Sequence, residues 1–334
     1  MTSVLFTCAG QRVDIVSAFG RAGAFTVAAD VNPLAPALYH ADRYVLPPRY
    51  DESEYIPFLA QAIAENDVSL VVPLTDLDPL ILARRQDALG ALVLLPDAEV
   101  VERTTDKYLA HRFFEERGFH SPGTWLPDEL PGDLEFPVLV KSREGFGSRN
   151  IFRARDREEL DFFLAHTPVA SIVQAVCPGD EYSIDVFCDL EGRCLNAIPR
   201  TMIESKGGES IKGMTIKDDE LIDLGRRVAE SLAIKGPATI QCFRTPDGRH
   251  EITDVNCRFG GAFPLPLAAG GAYPELALAL ARGERPEPRL GEFRDGVVMT
   301  RFFSHLSLVA AEDGTLAPLF EETPSALPEE SRPS

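Results

Sequence analysis

The sequence predicts a mixed α/β and α+β protein, with a parallel sheet in its first third and antiparallel sheets in the remainder. Three observations lead there. Over residues 1–100, short apolar runs alternate with helical segments, the pattern of βαβ units that build a parallel sheet. Beyond residue 178 apolar positions alternate with period two, and an Asp-Gly pair separates two such runs, as in antiparallel hairpins. The 334 residues are 45% hydrophobic and 25% charged, an ordinary globular composition in a chain long enough for two or more lobes.

Taken in order, VLFT (4–7) reads as a strand, CAGQR (8–12) as a turn, Val13–Ala22 as a helix and TVAADV (26–31) as the second strand. A helix over Tyr55–Glu65 leads to the buried runs SLVVPL (69–74) and ALVLL (91–95). Thr104–Gly118 fits one helix, capped by Thr104 or Thr105 and ended by Gly118. Short strands (FPVLVK, NIFRA, ASIVQAV) then surround one helix, Asp156–His166, in a compact α+β lobe. EYSIDVFCD and CLNAIPRT follow as antiparallel strands and Glu220–Leu232 as an amphipathic helix. The hairpin ATIQCFR–TPDG–RHEITDVN turns at Asp247-Gly248. The expected units are 1–103, then 104–310 (a small subdomain over about 120–177 and a C-terminal one over about 178–310), then an acidic Pro/Ser-rich tail, 321–334, expected to be disordered.

The formal net charge of −19 disfavours nucleic acid and anionic membrane as partners, since binding them needs clustered Lys and Arg. It also repels small anions, so a phosphate site must carry its own positive charge. The cysteines, Cys8, Cys177, Cys188, Cys194, Cys242 and Cys257, form no C-x-x-C pair and no zinc spacing, which fits a reducing cytoplasm. VLF is too short for a signal core, and no apolar run approaches a membrane span. A soluble, cytoplasmic protein is expected.

The first β–turn–helix, with Asp30 near the end of the second strand, has the outline of a dinucleotide fingerprint. CAGQRVD offers one glycine, Gly10, where G-x-G-x-x-G needs three, so a doubly wound sheet without a cofactor is the better reading. Asp30 and Asn32 remain minor substrate-site candidates. KSREGFGSRN (141–150) places its lysine before the glycines, unlike a P-loop, and runs from strand to strand. Either it is a glycine hairpin with a surface lysine, or Gly145, Gly147 and Ser148 approach an anion whose charge Lys141 balances. Lys107 stands on the first turn of a helix, where a cation is unfavourable unless an anion is near.

In EITDVNCRFGG (251–261), Asp254 and Asn256 share one strand face. A two-residue Asp247-Gly248 turn sets Gln241 opposite Asp254. Such oxygen donors suit Mg²⁺, and Arg258 follows on the same side, where it can hold a phosphoryl or carboxylate group. Alternation alone also gives the solvent face of an edge hairpin. The apolar, glycine-rich segment that follows favours burial, where lone polar groups are costly.

Together these segments resemble the ATP-grasp superfamily, in particular single-unit ligases like one half of the carbamoyl phosphate synthase large subunit. The resemblance covers about residues 3–310 in order. VLFTCAGQRVDIVSAF, AADVNPLAPALYHADRYVLPP and VVPLTDLD are similar to that group's N-terminal α/β domain, and TTDKYLAHRFF to the start of its ATP-binding part. FPVLVKSREGFGSRNI resembles its lid, SIVQAVCPGDEYSIDVF its hinge, and ATIQCF with ITDVNCRFGG its metal hairpin. The resemblance implies an ATP-grasp fold: an N-terminal doubly wound parallel-sheet (pre-ATP-grasp) domain, a small lid subdomain and a C-terminal antiparallel-sheet subdomain. It implies that Lys107 and Lys141 contact ATP phosphates and that Gly145, Gly147 and Ser148 close over them. Gln174 and the Val176 backbone would edge the adenine, with Glu181 on the ribose. Gln241, Asp254 and Asn256 would face Mg²⁺, or Mn²⁺ in its place. Arg258, Lys141 and Arg200 are the implied catalytic residues: Arg258 steadies the transferred phosphoryl group, and Arg200 lies near the phosphates or substrate. Two departures stand out: Asp254 replaces the family's usual glutamate, and Gln174 replaces the acidic residue of many relatives.

The implied reaction is ATP-dependent ligation: a carboxylate takes the γ-phosphoryl group, and an amine then displaces phosphate. Phosphoryl transfer needs mainly positioning and charge neutralisation, and the chain carries no convincing Ser/His/Asp or Cys/His arrangement. The expected partners are small-molecule carboxylate and amine substrates, with a homodimer as the expected candidate assembly. Phosphorylation of carbamate or a similar small acid, and ATP sensing without turnover, are the rivals; an NAD oxidoreductase ranks last. Substrate contacts are expected from loops at Glu204–Met214, with Glu209 and Lys212, and at Gly260–Gly271.

Overall fold

The computed structural model describes residues 1–145, 150–206, 209–311 and 314–319. Ser3–Thr7 (β1), Phe25–Ala29 (β2), Arg43–Val45 (β3), Val68–Pro73 (β4) and Leu92–Val93 (β5) form a parallel sheet in the order β3-β2-β1-β4-β5. Central strand β1 is buried throughout, as befits a parallel strand covered on both faces. Its alternate residues serve the two faces. Val4 and Phe6 join the core of Val13–Arg21 (α1), while Leu5 joins that of Tyr55–Glu65 (α2). The strand order reverses between β1 and β4, the switch point where such sheets bind ligands.

Pro79–Arg85 (α3) is followed by Ala98–Thr105 (α4) and Lys107–Glu116 (α5). The single helix expected over Thr104–Gly118 is therefore two, broken at Asp106. The Asp106 backbone is extended, and its carboxylate accepts the N–H groups of Tyr108 and Leu109 at 2.9 and 3.1 Å. Aspartate is the stronger N-cap, and the Thr104 hydroxyl is taken up by the carbonyls of Val100 and Val101. Gly118, at φ +73°, ends α5 as expected.

Thr124–Trp125 (β6), Val138–Ser142 (β7), Phe152–Ala154 (β8) and Ser171–Ala175 (β9) make a small antiparallel sheet, order β6-β9-β7-β8. Arg157–His166 (α6) packs Leu160 against Val138 and Val140 of this sheet. The largest sheet contains Asp180–Cys188 (β10), Cys194–Lys206 (β11), Glu209–Thr215 (β12), Gly236–Arg244 (β13), His250–Asn256 (β14) and Val298–Thr300 (β15). It is antiparallel, in the order β14-β13-β10-β11-β12-β15. Asp219–Ser231 (α7) covers one face so closely that a Cβ on Gly225 would lie 2.6 Å from Ile184. Ile184 and Val186 of β10 thus face α7, and by alternation Glu181, Ser183 and Asp185 face the other way.

Helix α4 spans residue 103 and packs against both α3 and β14. The expected loop Glu204–Met214 is the β11–β12 hairpin, in which Lys212 Nζ pairs with Glu204 at 2.6 Å. Within Gly260–Gly271, Pro264–Ala268 forms a short helix. Gly147, Ser148 and the tail 321–334 lie outside the described residues. Among those described, no helix is long and apolar enough to cross a membrane.

Candidate functional site

Three walls enclose a cleft of about 800 Å³. The first is the pair of loops after β1 and β4, Ala9–Arg12 and Leu74–Leu77, at the parallel sheet's switch point. The second is the small sheet with the start of α5, and the third is the uncovered face of β10, β11, β13 and β14. Every described residue of the expected site lines this cleft: Lys107, Lys141, Gly145, Gln174, Val176, Glu181, Arg200, Gln241, Asp254, Asn256 and Arg258. Asp30 and Asn32 do not line it. One Asp30 oxygen accepts the Gly10 N–H at 2.7 Å, and the other accepts that of Asn32 at 2.8 Å.

The hairpin reaches the expected pairing by another route. Thr245 N bonds Arg249 O at 2.9 Å, leaving Pro246–Gly248 as a three-residue loop with Gly248 at φ +85°. An odd loop alone would oppose Gln241 to Thr253. A bulge at Thr253 restores the register, so Gln241 faces Asp254 and Thr239 faces Asn256. The row continues inward, from Gln241 to Ser183 on β10 and from Ser183 to Arg200 on β11. Arg200 is 3% exposed; its Nε donates to Asp185 at 2.8 Å, and Asp185 accepts the Thr239 hydroxyl at 2.7 Å. Arg200 Nη1 and Ser183 Oγ are buried without a partner among the described residues.

Lys141, next to last in β7, is 7% exposed and, among the described residues, donates no hydrogen bond and joins no ion pair. Burial pushes its pKa down to about 8; the Asp254 carboxylate opposes the shift and Lys107 adds to it. A buried ammonium without a fixed partner is costly, so the position suits a cleft that receives an anion. Lys107 opens α5, and its Nζ donates to Gly145 O at 2.8 Å. That helix start is stitched to the end of β7, with Lys107 N on Arg143 O at 3.0 Å and Arg143 Nε on Asp106 at 2.7 Å. Gln174 is buried with its amide on Thr124 Oγ1 at 2.8 Å. Glu181 accepts the Gln241 amide at 3.3 Å. Burial raises the Glu181 pKa, and the Arg200 charge opposes the rise.

Several cleft residues escaped the sequence reading because their partners are remote in the chain. Asp76, after β4, receives Arg258 in a two-pronged bond at 2.8 and 2.6 Å. Arg12, after β1, donates to the carbonyls of Phe259 and Gly260 at 3.1 and 2.9 Å. Neither pair leaves a periodic trace; the only hint was the acidic cluster in TDLD. As a metal wall, Gln241, Asp254 and Asn256 supply one carboxylate and two amide oxygens. No group of three or more His, Cys, Asp or Glu side chains stands ready for a metal among the described residues. The donor set therefore fits Mg²⁺ held jointly with phosphates rather than an all-protein cage.

The chain has the ATP-grasp fold, with the cleft between its parallel and antiparallel sheets. Two family models match it in sequence: a PylC-like N-terminal domain over residues 4–93, and the ATP-grasp domain of a biosynthetic pathway associated with the Ter operon over residues 167–302. The carbamoyl phosphate synthase large chain of Deinococcus radiodurans is 24% identical over 262 residues, 68% of this chain and 25% of the relative. The chain thus spans about a quarter of that curated relative. Among solved structures, the biotin carboxylase domain of Hydrogenobacter thermophilus 2-oxoglutarate carboxylase superposes with a TM-score of 0.73 at 16% identity, covering 89% of this chain and 73% of that one. The L-amino acid ligase of Bacillus licheniformis gives 0.68 at 18% identity, covering 88% and 78%. At these identities the structural likeness concerns the fold.

Proposed function

We propose that the protein is an ATP- and Mg²⁺-dependent ligase that joins a carboxylate to an amine through an acyl phosphate. The observation that carries the reading is Lys141, a buried cation without a partner among the described residues, facing the Asp254 wall of the cleft. A carboxylate oxygen attacks the γ-phosphorus, the bond from phosphorus to the ADP oxygen breaks, and ADP leaves. The amine then attacks the acyl carbon, expels phosphate and loses a proton. Lys107 and Lys141 balance the nucleotide phosphates, and Gly145, with Gly147 and Ser148, covers them. Gln174 and Val176 border the adenine, and Glu181 the ribose. Gln241, Asp254 and Asn256 hold Mg²⁺, or Mn²⁺, which when bound neutralises phosphate charge. Arg258 and Arg200 face the transferred group and the acceptor. Support comes from the relatives: the biotin carboxylase domain was solved with MgADP and bicarbonate, and the Bacillus licheniformis protein is named an amino acid ligase.

Coupled ADP release across panels of carboxylic and amino acids tests this, with a new amide as the expected product. Asp254→Ala should abolish turnover while the circular dichroism spectrum is kept; wild-type activity in that variant would sink the metal assignment. The second reading, phosphorylation of carbamate or a similar small acid, is favoured by the alignment with carbamoyl phosphate synthase. It predicts an acyl phosphate released without an amine. Tight Mg·ATP binding with no turnover on any panel would instead indicate a sensor. We place the reaction in the cytoplasm, in keeping with six free cysteines. The working division is 1–103 and 104–310. A homodimer, the state named for the 2-oxoglutarate carboxylase domain, is checked by sedimentation.

A further inference from the structure

The segment Arg258–Gly260, just beyond β14, is held from the parallel-sheet domain in two different ways. Arg12 reaches across to the carbonyls of Phe259 and Gly260, with Asp14 backing its guanidinium at 3.1 Å. On the other side Gly260 sits on the floor of the large sheet: a Cβ there would lie 2.4 Å from Thr239 Oγ1 and 3.0 Å from Asp185 Oδ1. The backbone of this segment is therefore seated without help from Asp76. The Asp76 carboxylate instead takes the Arg258 side chain, at Nε and Nη2, with the two side chains 22% and 17% exposed.

A fork-to-fork bond fixes the plane of a guanidinium as well as its position. Asp254, Asn256 and Arg258 all line the cleft, so the plane fixed here is that of the arginine beside the metal wall. The bond engages Nε and one N–H of Nη2, and a longer contact runs from Nη1 to Phe259 O at 3.3 Å, so further N–H donors remain available to the cleft. We propose that Asp76 is a positioning residue. It aims Arg258 at the reacting phosphoryl group, and the N-terminal parallel-sheet domain thereby becomes part of the reaction site. The inference rests on the ligase reading.

The test compares wild type, Asp76→Asn, Asp76→Glu, Arg258→Ala and the double variant Asp76→Asn/Arg258→Ala. Steady-state ADP release is measured with Mg·ATP and the substrate panel, and Mg·ATP binding by calorimetry. Asp76→Asn should lower kcat roughly ten- to a hundredfold, as expected for a misplaced group, with the ATP KM within about twofold. Asp76→Glu should recover part of the loss, and the double variant should be no slower than Arg258→Ala. Wild-type kcat in Asp76→Asn, or losses that multiply in the double variant, would overturn the inference alone. A wild type that binds Mg·ATP but releases no ADP on any panel overturns the ligase reading, and this inference with it. Where Asp76→Asn does not fold, Asp76→Glu decides: a folded variant with lowered kcat and an unchanged ATP KM supports positioning, and a folded variant with wild-type kcat refutes it.

Discussion

Two glycine turns border the cleft, and they behave oppositely. The turn at Gly10 follows a parallel strand at a switch point, the usual setting of a nucleotide loop. Its N–H is already bound by the protein's own acid, Asp30, and its carbonyl by Ala37 N at 3.2 Å. The turn at Gly145 follows an antiparallel strand and begins beside Lys141, which among the described residues has no counter-charge in contact. A phosphate loop is recognised less by its glycines than by whether its donors and cations are still open. By that measure the second turn is the one we propose as the anion site, whereas the first is closed by the protein's own groups.

The largest effect should come from the open side. Lys141→Met should weaken Mg·ATP binding roughly 30- to 1,000-fold, the usual cost of truncating one member of a buried charge pair. Lys107→Ala, which loses a cation already engaged with Gly145 O, should lose about tenfold or less. Calorimetry checks both, and equal losses would erase the distinction between the lysines. The depressed Lys141 pKa sets the pH behaviour. The folded protein sheds this proton at about pH 8, below the ordinary lysine value of 10.5. ATP affinity should therefore fall as pH rises through about 8, and stability should rise with pH between those two values. At neutral pH the buried charge costs stability, so Lys141→Met should melt higher than wild type even as it loses ATP.

The closed side gives a smaller and different effect. Asp30→Ala leaves the Gly10 N–H without its acceptor, at a cost of about 1–3 kcal/mol, read as a lower denaturation midpoint. Mg·ATP affinity should stay within about twofold. A tenfold loss of affinity would mean that the Gly10 corner belongs to the nucleotide site after all.

Much of this contrast was legible in the sequence, and the reasons for the rest are physical. Strands, helices and the Lys141 and Asp254 segments announce themselves through local periodicity and turn chemistry. The missing glycines of CAGQRVD weaken the dinucleotide reading, although nothing local reveals that Asp30 itself closes the turn. The pairing of Gln241 with Asp254 was anticipated from a two-residue loop; it arises from a three-residue loop and a compensating bulge at Thr253. Helix α5 starts one residue later than Thr105 would allow, because Asp106 outcompetes the threonines as a cap. The bonds Arg258–Asp76 and Arg12–Gly260 join residues 182 and 248 positions apart. They depend on how the parallel domain docks on the large sheet, which no local pattern encodes.

A buried ionisable group need not serve a ligand, and Asp78 provides the control for Lys141. It lies fully buried at the start of α3, its carboxylate accepting the Tyr55 hydroxyl at 2.7 Å. Burial raises its pKa above the ordinary carboxylate value. The sign follows from linkage: the folded state keeps a proton that the unfolded state gives up, so stability is greatest in acid and declines as pH rises towards the folded pKa. Asp78→Asn keeps the shape and an acceptor for Tyr55 but has nothing to ionise. It should match wild type near pH 3, where both carboxyl states are largely neutral, and exceed it increasingly towards pH 7, by roughly 2–4 °C in Tm for each kcal/mol recovered. Mg·ATP affinity should not move. If Asp78→Asn lost affinity as Lys141→Met does, burial of charge would mark the site in both domains, and the contrast between the two turns would no longer identify which one holds phosphate.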